Sequence, residues 1–133
     1  MSTTFFSWKE EYATGIDVID FQHKKLVNLI NRLYVTFMEQ TEGEHLDSIL
    51  QEVLDYAHYH FDTEASLMRK SNFPGMKEHI AQHDTFESKA IEVRHKFRHG
   101  GKVTSTLMNF LRNWLNDHIL RADREYIPYI KNQ

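Results

Sequence analysis

Four long stretches of this chain carry apolar residues at alternating spacings of three and four, the pattern of one helical face turned toward a shared core. The first, about residues 18–38, has Ile19, His23, Leu26, Ile30, Leu33 and Phe37 along its seam. The second, about 44–70, has Leu46, Leu50, Val53, Ala57, His60, Glu64 and Leu67. The third, about 75–98, has Met76, His79, His83, Phe86, Ala90, Val93 and Phe97. The fourth, about 103–123, has Val103, Leu107, Leu111, Trp114 and His118. Breaks separate them: a polar run from Glu39 to Glu44 holding Gly43, a turn from Ser71 to Gly75 in which Pro74 suits a helix start, and His99-Gly-Gly-Lys102. Connections this short make successive helices antiparallel. The expected fold is therefore all-α, an up-down-up-down four-helix bundle in a single domain spanning residues 1–133. Pro128 is expected to end or separate a short C-terminal helical turn. Residues 1–17 read as an N-terminal arm whose Phe5, Phe6, Trp8 and Tyr12 pack against the bundle, in preference to an amphipathic membrane anchor.

Composition agrees and removes several chemistries. Five glycines and two prolines in 133 residues are too few for an all-β chain built on tight turns. The absence of cysteine excludes disulfides, zinc–thiolate sites, iron–sulfur clusters and thiol nucleophiles. A net charge of −3 gives no electrostatic footprint for nucleic acid. No apolar run approaches the ~20 residues of a membrane span, and the start, Met1-Ser-Thr-Thr-Phe-Phe-Ser-Trp-Lys, does not read as a signal peptide. The default expectation is a cytoplasmic protein. Histidine, at nine residues, outnumbers glycine.

Those histidines sit where apolar residues belong. The seams contain His23, His60, Glu64, His79, His83 and His118. A buried imidazole or carboxylate costs several kcal/mol unless it is paired or binds a metal. One such residue reads as a hydrogen-bonded core histidine; six on four helices do not. Their levels also agree. His23 and His60 lie equally far, about 18 residues, from the centre of the first break. The His60/Glu64 and His79/His83 pairs lie about 11 and about 8 residues from the second break, a mismatch of about 4.5 Å at the helical rise. The His79/His83 pair and His118 lie about 20 and about 18 residues from the third. All six converge on one layer of the bundle interior. Asp123 is a seventh candidate. It follows His118 by five residues, about 140° round an ideal helix, and faces the same layer only if the helix is locally widened, as by a π-bulge. Otherwise it is a solvated acid among Arg121, Arg124 and Glu125.

Imidazole and carboxylate donors without sulfur suit iron, zinc, manganese or copper. Five histidines and two carboxylates are too many for one ion. If both carboxylates bridge, they supply nine donor positions to a pair of ions. Two octahedral ions that share one further oxygen bridge then keep one position for an exogenous ligand, which suits a pair of irons. The spacing His60-x-x-x-Glu64 and His79-x-x-x-His83 puts each pair of donors on one helical face.

The set His23, His60-x-x-x-Glu64, His79-x-x-x-His83 and His118-x-x-x-x-Asp123, together with Trp8 and the stretch Gly15-Ile-Asp-Val-Ile-Asp-Phe-Gln-His23-Lys-Lys-Leu26, resembles the hemerythrins, and their bacterial branch in particular. The resemblance covers essentially the whole chain. It implies a non-heme diiron centre that binds O2 reversibly. His79, His83 and His118 would hold one iron that is coordinatively full, and His23 and His60 the other. Glu64 and Asp123 would bridge them beside an oxo or hydroxo group, and O2 would enter the open position. The same resemblance has Leu115 and Ile119 wall the O2 side. It also accounts for the five-residue step to Asp123. His45, His58, His95 and His99 fall outside the pattern and are expected at the surface.

The function so implied is oxygen storage, transport or delivery to an oxygen-consuming enzyme, with no catalysis of its own. An O2 or redox sensor acting through a partner protein is the alternative. A diiron oxidase of the ferritin-like kind would need Glu-x-x-His pairs on two helices. The chain has Glu42-x-x-His45 and Glu92-x-x-His95, but they lie near opposite ends of the expected bundle. The basic stretch Arg94–Lys102 reads as a solvated helix C-terminus, where positive charge suits the dipole, ahead of a docking surface.

Overall fold

A computed structural model describes residues 5–39, 44–98 and 105–131. Helix α1 runs Asp17–Met38, α2 Glu44–Lys70, α3 Met76–Arg98 and α4 Ser105–Asp117. A π-helical turn, His118–Ala122, then leads without a break into α5, Asp123–Lys131. No strand occurs among the described residues. Packing of α1 on α2, α2 on α3, α3 on α4 and α4 back on α1 closes the antiparallel four-helix bundle. The breaks expected at 39–44 and 99–102, with Gly43, Glu42, His99 and the start of the fourth stretch at Val103, fall wholly or mostly outside the described residues, as does the side chain of His45.

Each helix boundary has a local cause. Asp20, in the first turn of α1, reaches back to accept hydrogen bonds from the backbone N–H groups of Thr14 and Gly15 (2.7 and 3.1 Å) and from the Thr14 hydroxyl (2.8 Å). Gly15 is held at φ +80°, and a Cβ there would run into the Lys131 side chain at the end of α5. At the far end of α2, Asn72 takes the left-handed conformation (φ 55°). Asn72 N–H donates to Arg69 O and Phe73 N–H to Met68 O, the paired bonds of a Schellman cap, and Phe73 packs on Met68 as that cap requires. Pro74 lies two residues ahead of α3, inside the turn.

Most seam residues are buried as their spacing predicts; Phe37, Met76, Val93, Phe97 and Trp114 are only half-buried against the core, and on α2 the seam drifts. On α2 the inward position after Glu64 is Met68, fully buried, while Leu67 is only half-buried. A straight helix slips by about 20° per heptad against a 3.5-residue repeat, so a seam four residues on replaces one three residues on. Pro128 is the second difference. It sits inside α5 instead of ending a turn. The packing of Tyr126, Ile127 and Ile130 against Met68, Phe73, Met76 and Ile80 outweighs the one hydrogen bond that the proline removes.

The core is split. A large cluster, including Leu26, Ile30, Leu33, Leu50, Val53, Phe61, Phe86, Leu111, Leu115 and Ile119, fills one end of the bundle. A small one, centred on Met68, Phe73 and Tyr126, fills the other. On every helix the polar seam residues lie between the two.

The arm packs on the bundle as its aromatics suggest. Phe6 and Tyr12 are buried, and Phe5 stacks on Tyr34 at 4.1 Å. The Asn31 side chain takes the place of a neighbouring strand. Its Oδ1 accepts from Phe5 N–H (3.1 Å) and Phe6 N–H (2.8 Å), and its Nδ2 donates to Phe6 O (2.8 Å). Tyr12 OH donates to Asn116 Oδ1 at 2.6 Å, tying the arm to α4. Asn31→Ala is expected to lower unfolding free energy by about 1–3 kcal/mol, since partly buried backbone groups lose their partners. The same variant should make the segment before Tyr12 the first site of proteolysis; equal denaturation midpoints and digestion patterns would refute this.

Candidate metal centre

The polar layer is built from both ends of the bundle. His23 comes from α1, His60 and Glu64 from successive turns of α2, His79 and His83 from successive turns of α3, and His118 from the π turn, with Asp123 opening α5. All seven are buried, none more than 4% exposed. The π turn supplies what the five-residue step demands. Asp123 N–H donates to His118 O, a bond one residue longer than the α-helical one, and this widened turn brings both side chains to the same face.

Every imidazole presents Nε2 to the centre. Asp123 Oδ2 lies 3.0 Å from His23 Nε2, while its Oδ1 lies 3.0 Å from His79 Nε2 and 3.1 Å from His118 Nε2. Glu64 Oε1 lies 3.0 Å from His60 Nε2 and 3.3 Å from His83 Nε2, with Oε2 3.6 Å from His79 Nε2. The three Nε2 atoms of His79, His83 and His118 also crowd together, His118 being 3.1 Å from His79 and 3.0 Å from His83.

Two groups of donors result. Glu64, His79, His83, His118 and Asp123 form one; His23, His60, Glu64 and Asp123 form the other. Within each, one ligand atom per residue lies within 4.8 Å of all the rest. Only the two carboxylates belong to both.

The carboxylates of this layer are held ionised by its imidazoles, yet its polar atoms are short of aligned hydrogen-bond partners. Burial opposes ionisation of Glu64, yet His60, His79 and His83 hold its carboxyl well below the usual range. Burial and the Glu64 charge likewise oppose Asp123, but His118 and His23 keep it ionised and low. His79 is driven down by burial but pushed up to about 9 by Asp123 and Glu64 together. His23 is raised in the same way by Asp123 against its burial. His83 meets only Glu64, sits against two other imidazoles and is lowered, chiefly by burial. Even so, both oxygens of Glu64 and of Asp123 and both ring nitrogens of His23 lack an aligned hydrogen-bond partner. Three imidazole nitrogens pointed at one another cannot all be satisfied by protons on those nitrogens. Convergent ring nitrogens and two buried carboxylates without aligned hydrogen bonds are the environment that cations satisfy, so these residues fit metal ions.

Several neighbours that sequence patterning passes over complete the site. Gln22 Oε1 lies 2.8 Å from His60 Nδ1, and Gln82 Oε1 3.0 Å from His118 Nδ1. Each glutamine directly precedes a seam histidine, His23 or His83, and is turned by about 100° to reach the next helix; that adjacency is the signal that could have found them. Phe61 stacks on His83 (3.9 Å, 9°) and Trp114 on His118 (4.5 Å, 12°). Tyr126, three residues after Asp123, packs on His79 at 5.5 Å with its hydroxyl buried and unpartnered, and burial raises its pKa well above the ordinary value. Leu115 and Ile119 are buried in the large apolar cluster beside this layer. A groove of about 510 Å³, lined in part by Gln82, Trp114, Asp117 and Arg121, runs outside His118.

Of the remaining histidines, the two whose side chains are described, His58 and His95, stay apart. His58 is exposed, within 3.4 Å of Asp62 and 3.3 Å of Glu87, and His95 is exposed on α3. Glu92 pairs with Lys96 at the surface, so Glu92 and His95 take no part in the buried layer. In the basic stretch, Arg94 is held by Asp47 through a two-pronged contact (2.9 and 3.1 Å).

Comparison with known proteins gives the same answer as the geometry. The chain is 32% identical over 124 residues to the bacteriohemerythrin of Stenotrophomonas maltophilia, covering 93% of this chain and 80% of that one. It is 31% identical over 125 residues to the bacteriohemerythrin of Pseudomonas aeruginosa, covering 94% and 81%. A crystal structure of wild-type hemerythrin superposes with a TM-score of 0.86 at 28% identity, covering 95% of this chain and 98% of that one. The hemerythrin HHE cation binding domain matches residues 14–130, almost the whole of the bundle and its ligand-bearing layer, and the chain belongs to the hemerythrin family.

Proposed function

We propose that this chain holds two iron ions in its polar layer and binds O2 reversibly there, as a store or carrier that supplies an oxygen-consuming enzyme. One observation carries the reading: the two donor groups share Glu64 and Asp123 and nothing else. Carboxylates common to two groups are placed to bridge. The group with His79, His83 and His118 then has five protein donors, and that with His23 and His60 has four. The poorer group, on the α1–α2 side, is where an exogenous ligand finds room. When bound, a ferrous pair supplies the electrons and the open position that O2 requires.

The chain's own residues favour holding O2 over consuming it. Leu115 and Ile119, buried at 2% and 1% exposure, belong to the apolar cluster that adjoins the layer and excludes water from that side. The bridging carboxylates are held ionised by the imidazoles around them, so they are poor proton donors. The Tyr126 phenol keeps its proton because burial, and then the Glu64 and Asp123 charges, oppose its ionisation.

Four outcomes test this. Well-loaded protein should contain two irons per chain. After anaerobic reduction, a visible charge-transfer band should appear with O2 and vanish under vacuum over repeated cycles. A band that instead decays with steady consumption of reductant would make the protein an oxidase. Glu64→Ala should lose the pair as a pair, giving an iron-to-protein ratio of one or below; retention of both irons with normal O2 binding would remove Glu64 from the bridge. Ile119→Asn should speed autoxidation several-fold by admitting water, with iron content unchanged, and an unaltered autoxidation rate would take Ile119 out of the pocket wall.

A further inference from the structure

Gln22 is 2% exposed, and both ends of its amide are engaged. Its Nε2 lies 3.2 Å from Thr63 Oγ1, and its Oε1 lies 2.8 Å from His60 Nδ1. Thr63, half-buried on α2, spends its one hydroxyl proton on the carbonyl of Tyr59 a turn earlier, at 3.2 Å. These contacts fix one another in order. A threonine hydroxyl that donates to Tyr59 O can only accept from Gln22, so the Gln22 NH2 faces Thr63. The Gln22 carbonyl must then face His60, and a carbonyl can only accept, so His60 Nδ1 carries the proton. His60 Nε2 is thereby the nitrogen aimed into the layer, 3.0 Å from Glu64 Oε1, and the one whose lone pair a metal ion would take. The opposite arrangement, with the amide flipped, would protonate Nε2 and put a hydrogen where a ligand lone pair is needed.

The other half of the site is held differently. His118 Nδ1 also meets a glutamine, but Gln82 is exposed and lines the outer groove. The four-donor group is thus oriented by a buried amide anchored at both ends, and the five-donor group by one at the solvent edge.

We propose that Gln22, locked by Thr63, is a positioning residue that fixes the tautomer of His60 and thereby sets the donor strength of the poorer metal group, the one that the proposed function assigns to O2. A hydrogen bond from the outer nitrogen makes the inner one a better donor, and loss of such a partner costs about 10–100-fold in metal affinity. The inference rests on the proposed function only for what the tuned metal binds; the tautomer itself belongs to the metal-free protein.

The test compares Gln22→Leu, Gln22→Glu and Thr63→Val with wild type. In metal-free protein, 15N shifts of the His60 ring should report Nδ1–H in wild type and Gln22→Glu, and a mixture or the Nε2–H form in Gln22→Leu and Thr63→Val. Titration with zinc alone should give a weaker second site, by about 10–100-fold, in Gln22→Leu, restored by Gln22→Glu, which keeps an acceptor. Thr63→Val keeps shape and changes only the hydroxyl, so it decides the matter if Gln22→Leu folds poorly. In the iron-loaded protein, O2 should leave Gln22→Leu at a changed rate. A wild-type tautomer and wild-type zinc affinity in both Gln22→Leu and Thr63→Val would overturn the proposal, whatever the protein does with O2. Altered tautomer and affinity in a protein that takes up no O2 would instead uphold the positioning role and refute the O2 reading.

Discussion

The constraint on which this bundle depends is that five imidazoles and two carboxylates converge in a place that water does not reach, where protons alone cannot satisfy all of their lone pairs. Apolar side chains could fill the same layer at less cost. The helices instead bring seven polar groups together and surround them with leucine, isoleucine and aromatic rings. Such a layer is stable only if opposite charges meet. Much of the nearby structure serves that need: ring stacking by Phe61 and Trp114, glutamines on the outer nitrogens, and a helix widened by one residue to bring Asp123 round.

Membership of the hemerythrin family and the geometry of the layer are independent statements that agree. The first says what kind of chain this is. The second says which atoms face one another in it. The sharing of Glu64 and Asp123 between the donor groups comes from coordinates alone, and it turns a cluster of polar residues into a candidate for a bridged pair.

Much of this was legible in the chain, for physical reasons. Helical periodicity is a property of sequence spacing, so the seams and their polar substitutions could be read directly, and short connections fixed the levels. Asp123 marks the limit. Spacing placed it off the face, and only a departure from regular helix, now seen as the π turn, brings it in. Pro128 was read by its local rule, which packing of Tyr126 and Ile130 overrides. Leu67 gave way to Met68 because an ideal period drifts along a long helix. Gln22 and Thr63 were invisible for another reason: their roles are defined by the helix they face and not by the one they belong to.

The division of the core has a consequence for how the molecule comes apart. Each apolar cluster closes one end of the bundle, and the helices cross from one to the other only through the polar layer. The smaller cluster, built on Met68, Phe73 and Tyr126, is too slight to hold its end folded alone. Ions held by residues of all four helices at once would make the two ends a single cooperative unit. Without them, the end holding α5 and the α2–α3 turn would be free to open below the global transition. Metal occupancy of the layer would then govern how cooperatively the bundle unfolds.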